Sequence, residues 1–217
     1  MSRVLVIGAS QGVGLEAVKA LLADGHHVRA LARTAGTIDI DDPNLEKTPG
    51  SALERNDVVR ALDGIDVVIL ALGVGRSASS VQSLIQGTTL FSRATRIVVD
   101  LMRERGPRRL IVVTGLGAGD SRGHFGFFYD GLVFPLLLKR IYDDKDVQER
   151  MVRDSGLDWT IARPGVLVGT PVTGRYRALD DPKLWAFKTI ARADVGRFLA
   201  DEVRDSRFIG KTPLIIS

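Results

Sequence analysis

The 217-residue chain has no cysteine. Disulfides, thiolate metal sites and a cysteine nucleophile are therefore excluded, and a reducing, cytoplasmic setting is expected. Histidine is sparse, with three in the chain. His26 and His27 adjoin at the entry to a strand, and no partner histidine stands at ligand spacing, so no metal site is expected. The 30 basic residues exceed the 26 acidic ones by a net charge of only +4. Without a dense basic cluster this small excess suits an anionic small molecule and gives no reason to expect nucleic acid. No apolar run approaches a membrane span. The first residues lead straight into a strand, so no signal peptide is expected. Linkers, repeats and low-complexity tracts are also lacking. Residues 1–217 read as a single domain, long enough to bury a full core. A monomer or homodimer with a small-molecule partner is expected.

One stretch organises what is present. Val4 to Ile7 is an unbroken apolar run, the pattern of a strand covered on both faces. Gly8, Gly12 and Gly14 follow, and then an amphipathic run from Leu15 to Leu22. Glycine allows a tight turn and leaves no side chain between backbone and ligand. The free N–H groups at the start of the next helix suit a phosphate. A glycine loop set between a strand and a helix is the context expected of a dinucleotide cradle.

The chain continues as an α/β alternation. Helix one covers Val13 to Ala23, and His27 to Ala32 is strand two, completing a β-α-β unit. Arg33 stands at the end of strand two, where an acidic residue would receive the ribose hydroxyl of NAD and an arginine accommodates the 2′-phosphate of NADP. This favours NADP(H) over NAD(H). A short strand near Leu45 to Thr48 and the turn Gly50-Ser51-Ala52-Leu53 lead into a helix over about Glu54 to Leu62. Asp66 to Leu72 is a further buried strand, followed by Gly73-Val74-Gly75. In a parallel sheet, ligands bind outside the carboxyl ends of the strands, so Gly8, Arg33, Ser51 and Gly73 should converge on one edge.

A long helix is expected from Val81 to Arg105, stopped by Gly106-Pro107. Leu110 to Thr114 is strand five, ending in the glycine-rich loop Gly115 to Gly119 on the same edge. Four of the eight phenylalanines fall at Phe125, Phe127, Phe128 and Phe134. They are either core or an apolar substrate wall, lid or subunit contact. Tyr142 to Asp154 reads as a helix and Asp158 to Ala162 as strand six, which Arg163-Pro164-Gly165 leaves. A short hairpin near Tyr176-Arg177, a helix from Ala193 to about Val203 and a last strand from Pro213 to Ile216 complete the chain. The fold class is a Rossmann-like, doubly wound parallel sheet. A small substrate side is expected around 118–140 and 165–190.

The whole chain resembles the atypical short-chain dehydrogenase/reductase superfamily, in particular the NAD(P)H-binding, NmrA-like proteins that include biliverdin-IXβ and flavin reductases. Gly8 to Gly14, Arg33, Gly50 to Leu53, Asp66 to Ile69 and, most specifically, Ser155 to Gly165 carry the resemblance. It implies cofactor contacts at Gly8, Ser10, Gln11, Gly12, Val13, Gly14, Arg33, Ser51, Ala52, Leu72, Gly73, Val74, Thr114 and Lys145. It also implies a substrate side that includes Phe125 and Pro164. Several positions depart from the pattern. The turn is spaced Gly-x-x-x-Gly-x-Gly instead of Gly-x-x-Gly-x-x-Gly. Ser51 stands where aspartate is common, and Gly115 where serine is common. Relatives with Tyr-x-x-x-Lys use tyrosine as proton donor and lysine to lower its pKa and hold the nicotinamide ribose. Here Lys145 and Glu149 match a Lys-x-x-x-Glu pattern, but Ile141 occupies the tyrosine position and Tyr142 is displaced by one. Residues three apart share a helix face, so Tyr142 and Lys145 are the catalytic candidates.

These readings lead to an NADPH-dependent reductase acting on a planar apolar acceptor, flavin- or tetrapyrrole-like. Such an acceptor needs stacking and proximity, and its proton can come from solvent. A non-enzymatic dinucleotide sensor or assembly factor and a sugar-nucleotide epimerase remain as alternatives on the same fold.

Overall fold

Continuous apolar runs make the centre of a sheet whose two faces are both covered. In the computed structural model, which describes residues 1–73, 88–119, 139–169 and 172–217, these runs are β1 (Arg3–Ile7), β4 (Val67–Leu70) and β5 (Arg109–Val113). Side chains alternate across β1: Val4 and Val6 enter one apolar cluster, Leu5 and Ile7 the other. The first face is covered by α1 (Gly12–Ala23) and α5 (Arg192–Asp205). The second is covered by α2 (Arg55–Leu62), α3 (Leu90–Arg105) and α4 (Lys139–Arg153).

The remaining strands are β2 (His27–Ala32), β3 (Leu45–Pro49), β6 (Asp158–Pro164), β7 (Val166–Val168), β8 (Arg177–Leu179), β9 (Thr189–Ala191) and β10 (Leu214–Ile216). Among the described residues the main sheet runs β3-β2-β1-β4-β5-β6-β10-β8, and β7 pairs with β9 apart from it. All neighbours in the main sheet are parallel except β10 and β8. The order reverses direction between β1 and β4, which opens a crevice at the carboxyl edge. This is the expected doubly wound, Rossmann-like sheet.

Several boundaries differ from the sequence reading. The expected helix from Val81 is Leu90–Arg105 in its described part, because Thr88 and Thr89 lie outside it; residues 81–87 lie outside the described residues. The cause is a non-local cap. The Asp144 carboxylate of α4 accepts the N–H of Phe91 at 2.8 Å and of Ser92 at 3.3 Å, so the helix begins where that carboxylate reaches. β6 runs on through Pro164, two residues beyond the expected end at Ala162. The missing N–H costs nothing toward β10, where Arg163 and Gly165 are the donors, to Pro213 and Ile215. Among the described residues no hairpin forms near Tyr176-Arg177. Arg177–Leu179 instead pairs antiparallel with β10, far along the chain.

α1 and α5 meet backbone to backbone. A Cβ on Gly196 would lie 2.5 Å from the Glu16 carbonyl carbon. In an open helix, alanine for glycine stabilises by about 1 kcal/mol; here the clash with a rigid neighbour reverses the sign. Gly196→Ala is expected to lower stability by about 1–3 kcal/mol through overpacking, read as a lower urea midpoint. An unchanged or raised midpoint would show that the two helices can separate freely.

Candidate functional site

The carboxyl edge gathers the ends of β1 to β6. At its centre, β1 turns into α1 with no room for side chains on the inside. Gly8 has φ +88°, and a Cβ there would lie 2.6 Å from the Ala71 carbonyl oxygen. A Cβ on Gly14 would lie 2.2 Å from the carbonyl oxygen of Gly8 itself. Gly12, with φ +60°, has nothing within 4 Å of its Cβ position. The turn is packed tightly on the protein side and open on the other. No side chain caps the α1 N-terminus at Gln11, and no acidic residue stands in the first turn. Its N–H groups can therefore take an anion from outside.

The neighbouring strand ends add polar groups. The Thr34 hydroxyl donates to Ser10 Oγ at 3.0 Å, tying the end of β2 to the turn. Arg33 is exposed and makes no hydrogen bond or ion pair with the described residues. After β3, the Ser51 N–H donates to Asp57 at 2.8 Å and Ser51 Oγ accepts from Leu53 N–H at 3.2 Å, with Ala52 buried behind. After β4, Leu72 is half-buried against Gly8 and Gly73 is exposed. Gln11 is exposed beside Gly12, while Val13 is buried in the core. Val74 and Phe125 lie outside the described residues, as do Phe127, Phe128 and Phe134.

The end of β5 is held by α4. Thr114 is buried and gripped at two points. Lys145 Nζ donates to its carbonyl at 2.7 Å, and its hydroxyl donates to Glu149 Oε1 at 2.8 Å. In this parallel register the donor facing the Thr114 carbonyl would be the Pro164 nitrogen, which carries no hydrogen. Lys145 takes the acceptor that proline leaves open. Pro164 itself is buried, and its carbonyl accepts the Leu116 N–H at 3.0 Å. Lys145 also lies over the Phe91 ring, 4.4 Å from its centroid. Burial pulls the Lys145 ammonium from 10.5 down to about 8, against the opposing pull of Glu149 and Asp144.

Tyr142 is half-buried and packs with Leu116 and Trp185. Its hydroxyl stands 2.8 Å from where a Gly115 Cβ would be. The two departures noted at these positions thus adjoin, with the phenol end against the open side of Gly115. Ile141, at the expected tyrosine position, is buried in the core. Beneath the loop, Arg163 is fully buried and donates to both oxygens of Glu149, at 3.0 and 2.6 Å. Glu149 and Arg163 appear in the sequence motifs, but nothing in their spacing signals this pairing. Asp144 carries no signal at all, because its partners lie about fifty residues away.

A cleft of about 390 Å³ lies at the opposite, amino edge, lined by Arg3, His27, Arg29 and Glu46 among others. Arg29 is committed there to Glu46 and to the carbonyls of Ala61 and Asp63. Among the described residues, no group of three or more His, Cys, Asp or Glu could hold a metal ion, and no helix is long and apolar enough to cross a membrane.

The family profile described as NAD(P)H-binding matches residues 8–206. The chain belongs to the NAD(P)H-binding family. Its glycine turn, the uncapped α1 and the carboxyl-edge crevice all fall inside the matched region. A curated relative, the uncharacterized sugar epimerase YhfK of Bacillus subtilis, is 26% identical over 187 residues, 82% of this chain and 78% of the relative. A short-chain dehydrogenase/reductase of Veillonella parvula, solved in complex with NADP, superposes with a TM-score of 0.79 at 16% identity, over 100% of this chain and 94% of that one. ChuY, an anaerobillin reductase of Escherichia coli O157:H7, gives a TM-score of 0.75 at 22% identity, over 99% of this chain and 97% of that one. These structures share the fold of this NAD(P)H-binding protein.

The Lys145 environment sets a pH dependence. Below pH 8 the lysine is charged in both the folded and unfolded chains, and the burial cost is felt in full. Between about pH 8 and 10.5 the unfolded chain holds a proton that the folded chain has released, so stability rises with pH. Urea unfolding of the protein and of Lys145→Met should show the protein gaining on the variant by at most about 3 kcal/mol across that window. Parallel curves would mean that Lys145 titrates as an exposed lysine.

Proposed function

We propose that the chain is an NADPH-dependent reductase of a planar apolar acceptor, flavin- or tetrapyrrole-like. The observation that carries this reading is the Tyr142 hydroxyl seated over Gly115. Gly115 offers no serine hydroxyl to pair with that phenol for carbonyl reduction, whereas an acceptor protonated from solvent needs no such pair. The turn fits a dinucleotide: the inside is closed by backbone, and the outside is open at Gly12 above an uncapped helix N-terminus. Gly8, Ser10, Gln11, Gly12, Val13 and Gly14 would hold the pyrophosphate, with Ser51 and Ala52 on the adenine side and Leu72, Gly73 and Val74 across the crevice. Arg33 would meet the 2′-phosphate, which makes NADP(H) the preferred cofactor. When bound, the nicotinamide supplies the hydride.

Within residues 1–217, read as one domain, the acceptor side would be formed by 118–140 and 165–190. Exposed Val166, Val172 and Leu184 support an apolar wall there, and Phe125 and Pro164 belong to the same side of the reading. Lys145 acts by holding the Thr114 carbonyl, which fixes the floor beside the nicotinamide. Tyr142 buttresses that floor. The named activity of ChuY supports a tetrapyrrole-like acceptor. The named activity of the Bacillus relative supports a sugar-nucleotide epimerase as second reading, for which Tyr142 and Lys145 would have to act together on one substrate.

The purified protein should oxidise NADPH in the presence of flavin or a biliverdin-like tetrapyrrole, and should do nothing to sugar nucleotides. NADPH binding without oxidation by any flavin, quinone or tetrapyrrole would replace the reductase with a sensor. Arg33→Ala is expected to raise the KM for NADPH about 10- to 100-fold, from loss of a charged hydrogen bond, and to leave the KM for NADH nearly unchanged. Equal effects on both cofactors would remove Arg33 from the 2′-phosphate.

A further inference from the structure

The loop after β5 keeps two ladder bonds from β6, Thr114 N–H to the Ala162 carbonyl at 2.9 Å and Leu116 N–H to the Pro164 carbonyl at 3.0 Å. Past Val113, one ladder position is closed by Pro164, and α4 supplies other anchors: Lys145 on the Thr114 carbonyl, Glu149 on the Thr114 hydroxyl, and Asp146, which accepts the Gly119 N–H at 2.7 Å. The loop also crosses directly above the Glu149–Arg163 pair. A Cβ on Gly119, at φ +56°, would lie 2.4 Å from Glu149 Oε2 and 2.6 Å from an Arg163 terminal nitrogen. On its other side, Arg163 faces the Trp185 ring, with its guanidinium carbon 5.5 Å from the centroid. The pair therefore lies between the loop beside the cofactor turn and the segment assigned to the acceptor side. A buried ion pair is a poor way to add stability, since apolar residues of similar volume often serve as well or better. Its bidentate geometry does fix the direction and distance of what rests on it.

We infer that the Glu149–Arg163 pair positions the loop 114–119 and, through it, the acceptor against the nicotinamide. Neither residue touches the reacting atoms; they are positioning residues. The inference rests on the reductase reading for its effect on turnover, but not for its effect on the loop.

The test separates position from stability. Glu149→Leu combined with Arg163→Met removes both buried charges together, so neither is left buried alone; Arg153, 3.5 Å from Glu149, loses that contact but is part-exposed. Glu149→Asp keeps the charge and withdraws the carboxylate by one methylene, which serves if the double variant does not fold. In whichever variant folds, amide hydrogen exchange is expected to speed up at least about tenfold for Leu116 and Gly119 while β5 stays protected. Turnover with NADPH and flavin or tetrapyrrole should fall about 10- to 100-fold in kcat, as expected for misplacement on the ångström scale, with the KM for NADPH unchanged. Unchanged loop exchange in a folded variant overturns the inference. So does exchange that accelerates equally across loop and sheet, which would make the pair a general support. If the unmodified protein reduces no acceptor, the reductase reading fails, and the exchange data still decide whether the pair positions the loop.

Discussion

Backbone contact fixes α1 on two sides, and the cofactor crevice depends on it. The turn is closed against β1 at Gly14 and against β4 at Gly8, where any side chain would meet a carbonyl oxygen. On its outer side, α1 rests on α5 at Gly196. A helix held this way cannot tilt or slide without losing packing along its whole length. Its N-terminus therefore points at one place, and among the described residues no side chain caps it. A strand-turn-helix with three glycines is held in one position by the surrounding backbone, with its helix N-terminus open to an anion.

The other half of the edge is organised on a different principle. α4 turns toward the protein a face that includes Ile141 and Val152 but also Asp144, Lys145, Gln148 and Glu149, all buried. Each of these polar groups has a job in another element. Asp144 starts α3, Lys145 and Glu149 hold the end of β5, and Gln148 donates to Thr95 at 2.9 Å. Polar groups in a dry interior are costly unless satisfied, and once satisfied they fix geometry more narrowly than apolar packing does. A matching arrangement braces the amino edge, where buried Arg109 pairs with Glu202 at 2.6 Å and with Thr160 at 2.8 Å.

The legible parts of the sequence were those whose physics is local. Val4 to Ile7, Val67 to Leu70 and Leu110 to Val113 read as buried strands because apolar runs of that length have few other uses. The glycine spacing and Arg33 marked the carboxyl edge for the same reason. Partners distant in the chain were illegible. The sequence shows a helix over Tyr142 to Asp154, but its composition does not show that Asp144, Lys145, Gln148 and Glu149 face the interior. The start of α3 depends on Asp144, and the pairing of Arg177–Leu179 depends on β10. Pro164 was misread as a strand end because its missing donor matters only where a neighbour needs it, and there Lys145 stands in.

The polar interior face of α4 also bears on the order in which the molecule assembles. A segment with little apolar surface gains little from early collapse, and its charged groups cannot leave water before their partners are in place. The sheet and the helices around α1 carry the continuous apolar clusters and can condense without it. α4 should then dock late, as a separate cooperative unit of lower local stability. On refolding, the glycine turn, α1 and α5 would then reach their places before α4 fixes the end of β5.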